Sequence, residues 1–281
     1  MTVKKAPLQE LLREIDENRT LLRRRGPLKA IEQKSVDTHF RILNTFTSNA
    51  IEGNSFSYLD TKLWLVDGIT VAGKSRNELL EVSGHGAAFD SMLAIAREST
   101  LDGISKNLPD IILRLHRMFY REIDPEFAGV FRESDVIIFG SPLKPPGPEF
   151  IGDFMDDFRV SFAENKDRLH PVVLAAFAHL ALVQIHPFVD GNGRTSRLLM
   201  NLILVNGGYQ ILSFNMRDRN RYYTALRNSD DQQTVDNHFT RLIARLELKA
   251  QKKYMELIRF KPPGQDASGS GPGDVKPGEK P

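Results

Sequence analysis

The 281-residue chain has no cysteine, which excludes disulfides and thiolate-held metals and says little about compartment. It has no apolar run near the roughly 20 residues that a membrane span needs. Behind Lys4 and Lys5 the segment from Leu8 to Arg25 is charged, so no signal-peptide core follows. Net charge is also nearly absent: 38 Lys and Arg against 36 Asp and Glu leave +2. No overall field gathers nucleic acid or anionic membrane, and any recruitment falls to specific sites. Internal repeats are lacking as well. These absences predict a soluble cytoplasmic protein with no nucleic-acid or membrane partner. What remains, at 41% hydrophobic residues, is enough for a buried core.

Helical spacing dominates the chain. Leu11, Leu12, Ile15, Leu21 and Leu22 predict a first amphipathic helix ended by Gly26-Pro27. Further helices are expected from Leu28 to Ile51, Tyr58 to Val66 and Arg76 to Arg97, then one with Pro109 in its first turn that carries Ile112, Leu115, Met118 and Phe119. The pattern returns over Glu149–Phe162, His170–His186, Asn192–Val205, Arg217–Arg227 and Thr234–Ile258. Between Gly129 and Pro148 the β-branched and aromatic Val136-Ile137-Ile138-Phe139 and the following glycines and prolines predict a short β-hairpin or extended flap. The division reads as an N-terminal helical region over 1–100, a core over 101–260 and a disordered Pro/Gly/Ser tail over 261–281.

The chemistry concentrates in His186-Pro187-Phe188-Val189-Asp190-Gly191-Asn192-Gly193-Arg194-Thr195-Ser196-Arg197. The apolar run from Leu198 to Val205 makes the Gly191-Asn192-Gly193 turn the opening of a helix, where exposed N–H groups and the positive helix end suit an oligophosphate. His186, at a helix edge before a proline, is suited to accept a hydroxyl proton near neutral pH. Asp190 beside bound phosphates would be repelled without a cation, which implies Mg²⁺. It also suits capping of the following helix, and both roles are compatible. Asn192, Gly193 and Arg194 offer an amide, backbone donors and a guanidinium to phosphate oxygens, and Arg197 shares the helix face of Arg194.

This twelve-residue string resembles, without a substitution, the signature H-P-F-x-D/E-G-N-G-R-x-x-R of the Fic-domain (Fic/DOC) family. The resemblance implies an all-α Fic-fold helical bundle with a short β-hairpin flap over the active site. It also implies a protein adenylyltransferase that moves AMP from ATP, with Mg²⁺, to a Ser, Thr or Tyr hydroxyl of a target protein. In that reading His186 is the base and Asp190 the metal ligand. Gly191, Asn192, Gly193, Arg194 and Arg197 form the nucleotide turn, and the target docks on the flap at 136–151. Relatives that transfer a terminal phosphate carry Ala-Asn-Lys at the turn, so Gly-Asn-Gly-Arg favours nucleotidyl transfer. Gly129-Val130-Phe131-Arg132 is similar to the family's G-x-x-R element, whose arginine is structural. Tyr222 or Tyr223 borders the adenine, or belongs to the core.

Ser48-Asn49-Ala50-Ile51-Glu52-Gly53-Asn54 resembles the S/T-x-x-x-E-G/N inhibitory motif of members regulated by their own N-terminal helix. It makes Glu52 a brake that pairs with Arg197 in the space of the γ-phosphate. Two alternatives stay open: a deAMPylase using the same site, and a non-catalytic nucleotide-binding interaction protein. The target and its acceptor residue are not legible, and oligomeric state is left open, a homo-oligomer included.

Overall fold

A computed structural model describes residues 7–138, 143–229 and 236–260. Local end signals delimit most helices. Helix α1, Leu8–Arg25, ends where Gly26 adopts φ 84°. Helix α2, Ala30–Ile51, begins where the Glu32 carboxylate accepts the Lys29 backbone N–H at 3.0 Å. Helices α3, Tyr58–Leu65, and α4, Arg76–Glu98, each open on a serine with an acid three residues on, Ser57 with Asp60 and Ser75 with Glu78. Helices α5, Leu101–Lys106, and α6, Leu108–Tyr120, follow. Beyond the flap region lie α7, Ile151–Asn165, α8, Pro171–Ile185, α9, Asn192–Asn206, α10, Arg219–Arg227, and α11, His238–Leu257.

Helix α9 is the axis of the bundle, because Leu198, Leu199, Met200, Leu202, Ile203 and Leu204 are all buried. It packs against α8, α4 and α6, while α4 also carries α2, and α11 joins α1 to α8. A single apolar cluster runs from Leu8 of α1 to Leu248 of α11. The C-terminal half of α2 differs in character: Asn44, Thr45, Thr47, Ser48 and Asn49 are buried polar residues. Polar side chains at depth need partners, and Asn44 Nδ2 donates to Leu212 O at 2.8 Å while Thr45 Oγ1 meets His85 Nδ1 at 3.2 Å. No helix among the described residues is long and apolar enough to cross a membrane.

The structure departs from the sequence reading in five places. Helix α5 was not anticipated, because it is only six residues long with Gly103 inside it, held by Thr100 Oγ1 capping the Gly103 N–H. Residues 148–150 and 216–218 are 3-10 turns, so α7 and α10 start later than expected. Helix α11 begins at His238, where Asn237 Oδ1 accepts the Thr240 N–H at 2.8 Å, and residues 230–235 lie outside the described residues. The expected hairpin contributes no strand among the described residues. Residues 136–138 and 143–147 run as coil, and 139–142 lie outside the description, as does the tail 261–281. Pro145, Pro146 and Pro148 remove the N–H donors a ladder would need.

Candidate active site

The sequence Ile185-His186-Pro187 forces the chain to leave α8 abruptly, since the residue before proline disfavours the right-handed helical region. His186 turns into the left-handed region, with φ 50° and ψ 56°. Its Nδ1 lies 3.2 Å from the Val183 carbonyl oxygen. A carbonyl only accepts, so Nδ1 carries the proton and Nε2 keeps a free lone pair. Burial lowers the pKa of His186 below its ordinary value, with the Arg132 charge acting in the same direction. The imidazole is therefore neutral at pH 7.

Arg132 holds this loop from behind. Its Nε donates to His186 O at 2.9 Å, its backbone N–H to Pro187 O at 2.9 Å, Nη1 to Ser134 O at 2.8 Å and Nη2 to Pro146 O at 2.6 Å. One guanidinium thus ties both limbs of the flap region to the backbone of His186. His116 supports the other end. It stacks on Phe188 with centroids 3.7 Å apart, accepts the Gly129 N–H at Nδ1 (2.9 Å) and donates from Nε2 to Asp190 O (3.0 Å). Burial pushes its pKa down to about 4, so it stays in this neutral tautomer.

The turn that follows requires its glycines. Gly191 has φ 77°, and a Cβ there would lie 2.9 Å from Phe119 Cε1. A Cβ on Gly193 would lie 2.8 Å from Glu52 Oε1 and 3.1 Å from Arg197 Nη1. The Glu52 carboxylate therefore sits directly against the helix opening. Asn192 is turned inward: its Oδ1 accepts the Phe188 N–H at 2.9 Å and its Nδ2 donates to Phe188 O at 2.8 Å. Its side-chain amide closes the loop and is not presented to the cavity, which leaves the backbone of the turn as its contribution to an anion.

The two arginines share a helix face but have different partners. Arg194 donates from Nη1 to Glu81 Oε1 at 2.8 Å and from Nη2 to Asp190 Oδ2 at 3.0 Å, with its guanidinium 4.4 Å over the Phe119 ring. Arg197, 2% exposed, donates from Nη2 to Glu52 Oε1 at 2.8 Å and to Ser48 O at 3.0 Å, from Nε to Ser48 Oγ at 2.9 Å and from Nη1 to Tyr222 Oη at 3.4 Å. Burial opposes its charge, and the Glu52 carboxylate and the Tyr222 hydroxyl together more than offset this, holding its pKa above the ordinary value. Glu52 is placed by α2, whose last carbonyl, Ile51 O, accepts from Arg219 Nε at 2.9 Å.

Glu52, His186, Asp190, Gly191, Asn192, Gly193, Arg194, Arg197, Tyr222 and Tyr223 all border one cavity of about 430 Å³. Ile137 and Ile138 of the flap region border it too, Ile137 being 82% exposed. Of the two tyrosines left open by the sequence, Tyr222 is buried with its hydroxyl between His179 Nε2 (3.0 Å) and Arg197, and burial pushes it up to about 12. Tyr223 is half-buried with Arg219 over its ring at 5.0 Å, so it offers the more accessible aromatic face. Asp190 is 59% exposed and only its Oδ2 is engaged by Arg194, so Oδ1 suits a hard cation held jointly with phosphate and water. No group of three or more His, Asp or Glu side chains forms a metal cage among the described residues.

Sequence reasoning missed Glu81 and His116. Their contacts span 113 and 74 residues, and neither lies in a recognisable motif.

Comparison with known proteins gives a consistent result. The profile of the Fic/DOC family matches residues 106–204. The protein adenylyltransferase Fic of Drosophila persimilis is 35% identical over 232 residues, covering 79% of this chain and 44% of the relative. That of Drosophila yakuba is 36% identical over 203 residues, covering 72% and 39%. This chain thus spans less than half the length of the curated relatives it matches. Among solved structures, a fragment of Fic-1 from C. elegans superposes with a TM-score of 0.73 at 28% identity, covering 89% of this chain and 71% of that one.

Proposed function

The chain belongs to the Fic/DOC family through residues 106–204, and from that premise we propose that it is an ATP-dependent protein adenylyltransferase held off by Glu52. The observation that carries the reading is the tautomer of His186. With Nδ1–H committed to Val183 O, the free lone pair on Nε2 belongs to a side chain in the wall of the same cavity as the glycine turn. A hydroxyl of a target protein loses its proton to Nε2 as its oxygen attacks the α-phosphorus of ATP. The bond to the bridging oxygen of the β-phosphate breaks, pyrophosphate leaves, and AMP remains esterified to the target. Backbone N–H groups at the start of α9 and the guanidinium of Arg197 face the phosphate charge. Alignment and charge neutralisation supply most of the acceleration.

Mg²⁺, held by Asp190, would offset the charge of the leaving pyrophosphate. Tyr223 would lie beside the base. The limbs at 136–138 and 143–147 would receive an extended segment of the target, main chain to main chain. The helices of 1–100 act as the regulatory layer and 101–260 as the catalytic core in this reading. The test is incubation of wild type and Glu52→Gly with α-labelled ATP, Mg²⁺ and cell lysate. Labelled protein bands that strengthen in the variant and vanish in Glu52→Gly with His186→Ala support the assignment. Equal labelling in all three refutes it.

One observation favours a second use of the site. Glu52 remains 30% exposed while one of its oxygens holds Arg197. The other oxygen suits orientation of a water towards an AMP ester. Release of AMP from a pre-modified target by wild type, lost in Glu52→Gln, would identify that activity.

A further inference from the structure

Glu52 is not the only carboxylate fastened to an arginine of the turn. Glu81, from the second turn of α4, accepts Arg194 Nη1 at Oε1 (2.8 Å) and Asn54 Nδ2 at Oε2 (2.8 Å). Asn54 lies two residues beyond Glu52. Its Nδ2 also donates to Glu78 O at 3.2 Å, its Oδ1 accepts the Phe56 N–H at 3.0 Å, and the next residue, Ser55, donates its N–H to Glu78 Oε1 at 2.8 Å. The loop behind Glu52 is thus anchored to the first turns of α4. Asn49 joins the same knot, its Oδ1 3.5 Å from Arg194 Nη1 and its Nδ2 3.5 Å from Glu81 O.

Arg194 is 3% exposed and needs carboxylate partners to stay charged at that depth. Asp190, its other partner, faces the cavity, whereas Glu81 is 23% exposed and shared with the loop. A single carboxylate stretched between two donors cannot follow both. Any turn of Arg194 towards an incoming phosphate draws Glu81 with it and slackens Asn54.

We propose that Glu81 is a positioning residue that orients Arg194 and, through Asn54, keeps the Glu52 loop closed, so that the phosphate-side guanidinium and the brake share one fastening. This rests on the reading of Glu52 as a brake. It gives nucleotide a route to its own release: engagement of Arg194 by phosphate loosens the loop, and by linkage an open loop strengthens that engagement.

The experiment compares Glu81→Gln and Asn54→Ala, each in the wild-type and Glu52→Gly backgrounds of the full chain. Amide hydrogen exchange over residues 52–56 is measured without nucleotide, alongside calorimetric titration with ATP and Mg²⁺ and AMP transfer. In the wild-type background both variants should exchange at least about tenfold faster across the loop, since each loses the charge-assisted hydrogen bond between Asn54 and Glu81, and transfer should rise. In the Glu52→Gly background there is no brake to release. There Glu81→Gln should weaken ATP binding and raise the KM for ATP by about tenfold through the misoriented Arg194. Asn54→Ala, which leaves the Arg194 contact intact, should not.

A purely structural role for Glu81 would lower activity in both backgrounds, and that result overturns the proposal. Unchanged loop exchange in both variants overturns it equally. If Glu52→Gly shows no transfer on any target, the assigned reaction fails, while exchange and ATP affinity still decide the role of Glu81. Should Glu81→Gln not fold, Glu81→Asp keeps the charge but is one methylene too short to span both donors, and it carries the same exchange readout.

Discussion

Replacing Glu52 by glycine should move activity and stability in opposite directions. In the folded protein the carboxylate accepts one charge-assisted bond from Arg197 at 2.8 Å, worth about 1.5–3 kcal/mol. Arg197 keeps Ser48 Oγ, Ser48 O and Tyr222 Oη as partners, so its guanidinium remains where a γ-phosphate can reach it. The variant therefore gains a vacant anion subsite and loses a counter-charge on a group that is 2% exposed. In a two-state competition between carboxylate and phosphate, the same energy shifts the productive pose by roughly ten- to a hundredfold. Without ligand it appears as lost stability, roughly 5 °C in Tm for a chain of this size. The assay pairs thermal unfolding, with and without ATP and Mg²⁺, with initial rates of labelling. Glu52→Gly should melt earlier than wild type alone, gain more from nucleotide and label faster, and Arg197→Ala added to it should abolish both gains. An apo Tm equal to wild type with no rise in labelling would refute the reasoning.

As the proposed base His186 must be neutral, and burial lowers its pKa, so kcat/KM of the Glu52→Gly protein should hold flat from pH 7 to below 6.5 and decline only under that value. An acid limb centred above 6.5 would contradict the base assignment, as would full transfer by His186→Ala. Gly193→Ala should fold yet bind ATP about tenfold more weakly, because the added methyl crowds Glu52 and Arg197 at the helix opening. Calorimetry at equal Mg²⁺ measures this. Glu247 is buried, accepts the Gln210 N–H at 2.9 Å and is pushed up to about 8 by that burial. Its folded pKa is raised, so its contribution to stability is complete below about pH 4.5 and is lost as pH rises through 8. Glu247→Gln should be near neutral at pH 4 and stabilising by on the order of 3 kcal/mol at pH 7, read from denaturant unfolding.

How legible the molecule was depended on the range of the interactions. The starts of α3 and α4 fall where they were expected, at Tyr58 and Arg76, and Ser57 with Asp60 and Ser75 with Glu78 fix them over only three residues. The opening of α9 was readable because Gly191 alone tolerates the turn. The flap was read from the β-branched and aromatic run 136–139, while the donor-poor prolines after it, together with the Arg132 clamp on Ser134 O and Pro146 O, accompany coil limbs. Asn192 looked like a phosphate donor by residue type, yet its amide faces the Phe188 backbone four residues earlier, a rotamer choice that motif spacing does not encode. Glu81 was invisible for a different reason. Its role exists only once α4 and the loop after α2 have been packed beside Arg194, a long-range consequence of the fold.

The left-handed backbone of His186 sets an evolutionary tension inside the loop. A side chain with a Cβ at φ 50° costs on the order of 1 kcal/mol that glycine would not, and Arg132 and Val183 hold the residue there regardless. Alanine keeps that strain, whereas glycine relieves it. Glycine would trade that strain against its own greater freedom in the unfolded chain and the lost imidazole contact with Val183 O, so strain and ring are opposed at this one position. Retention of a histidine in so unfavourable a backbone setting is what continued use of its ring would require.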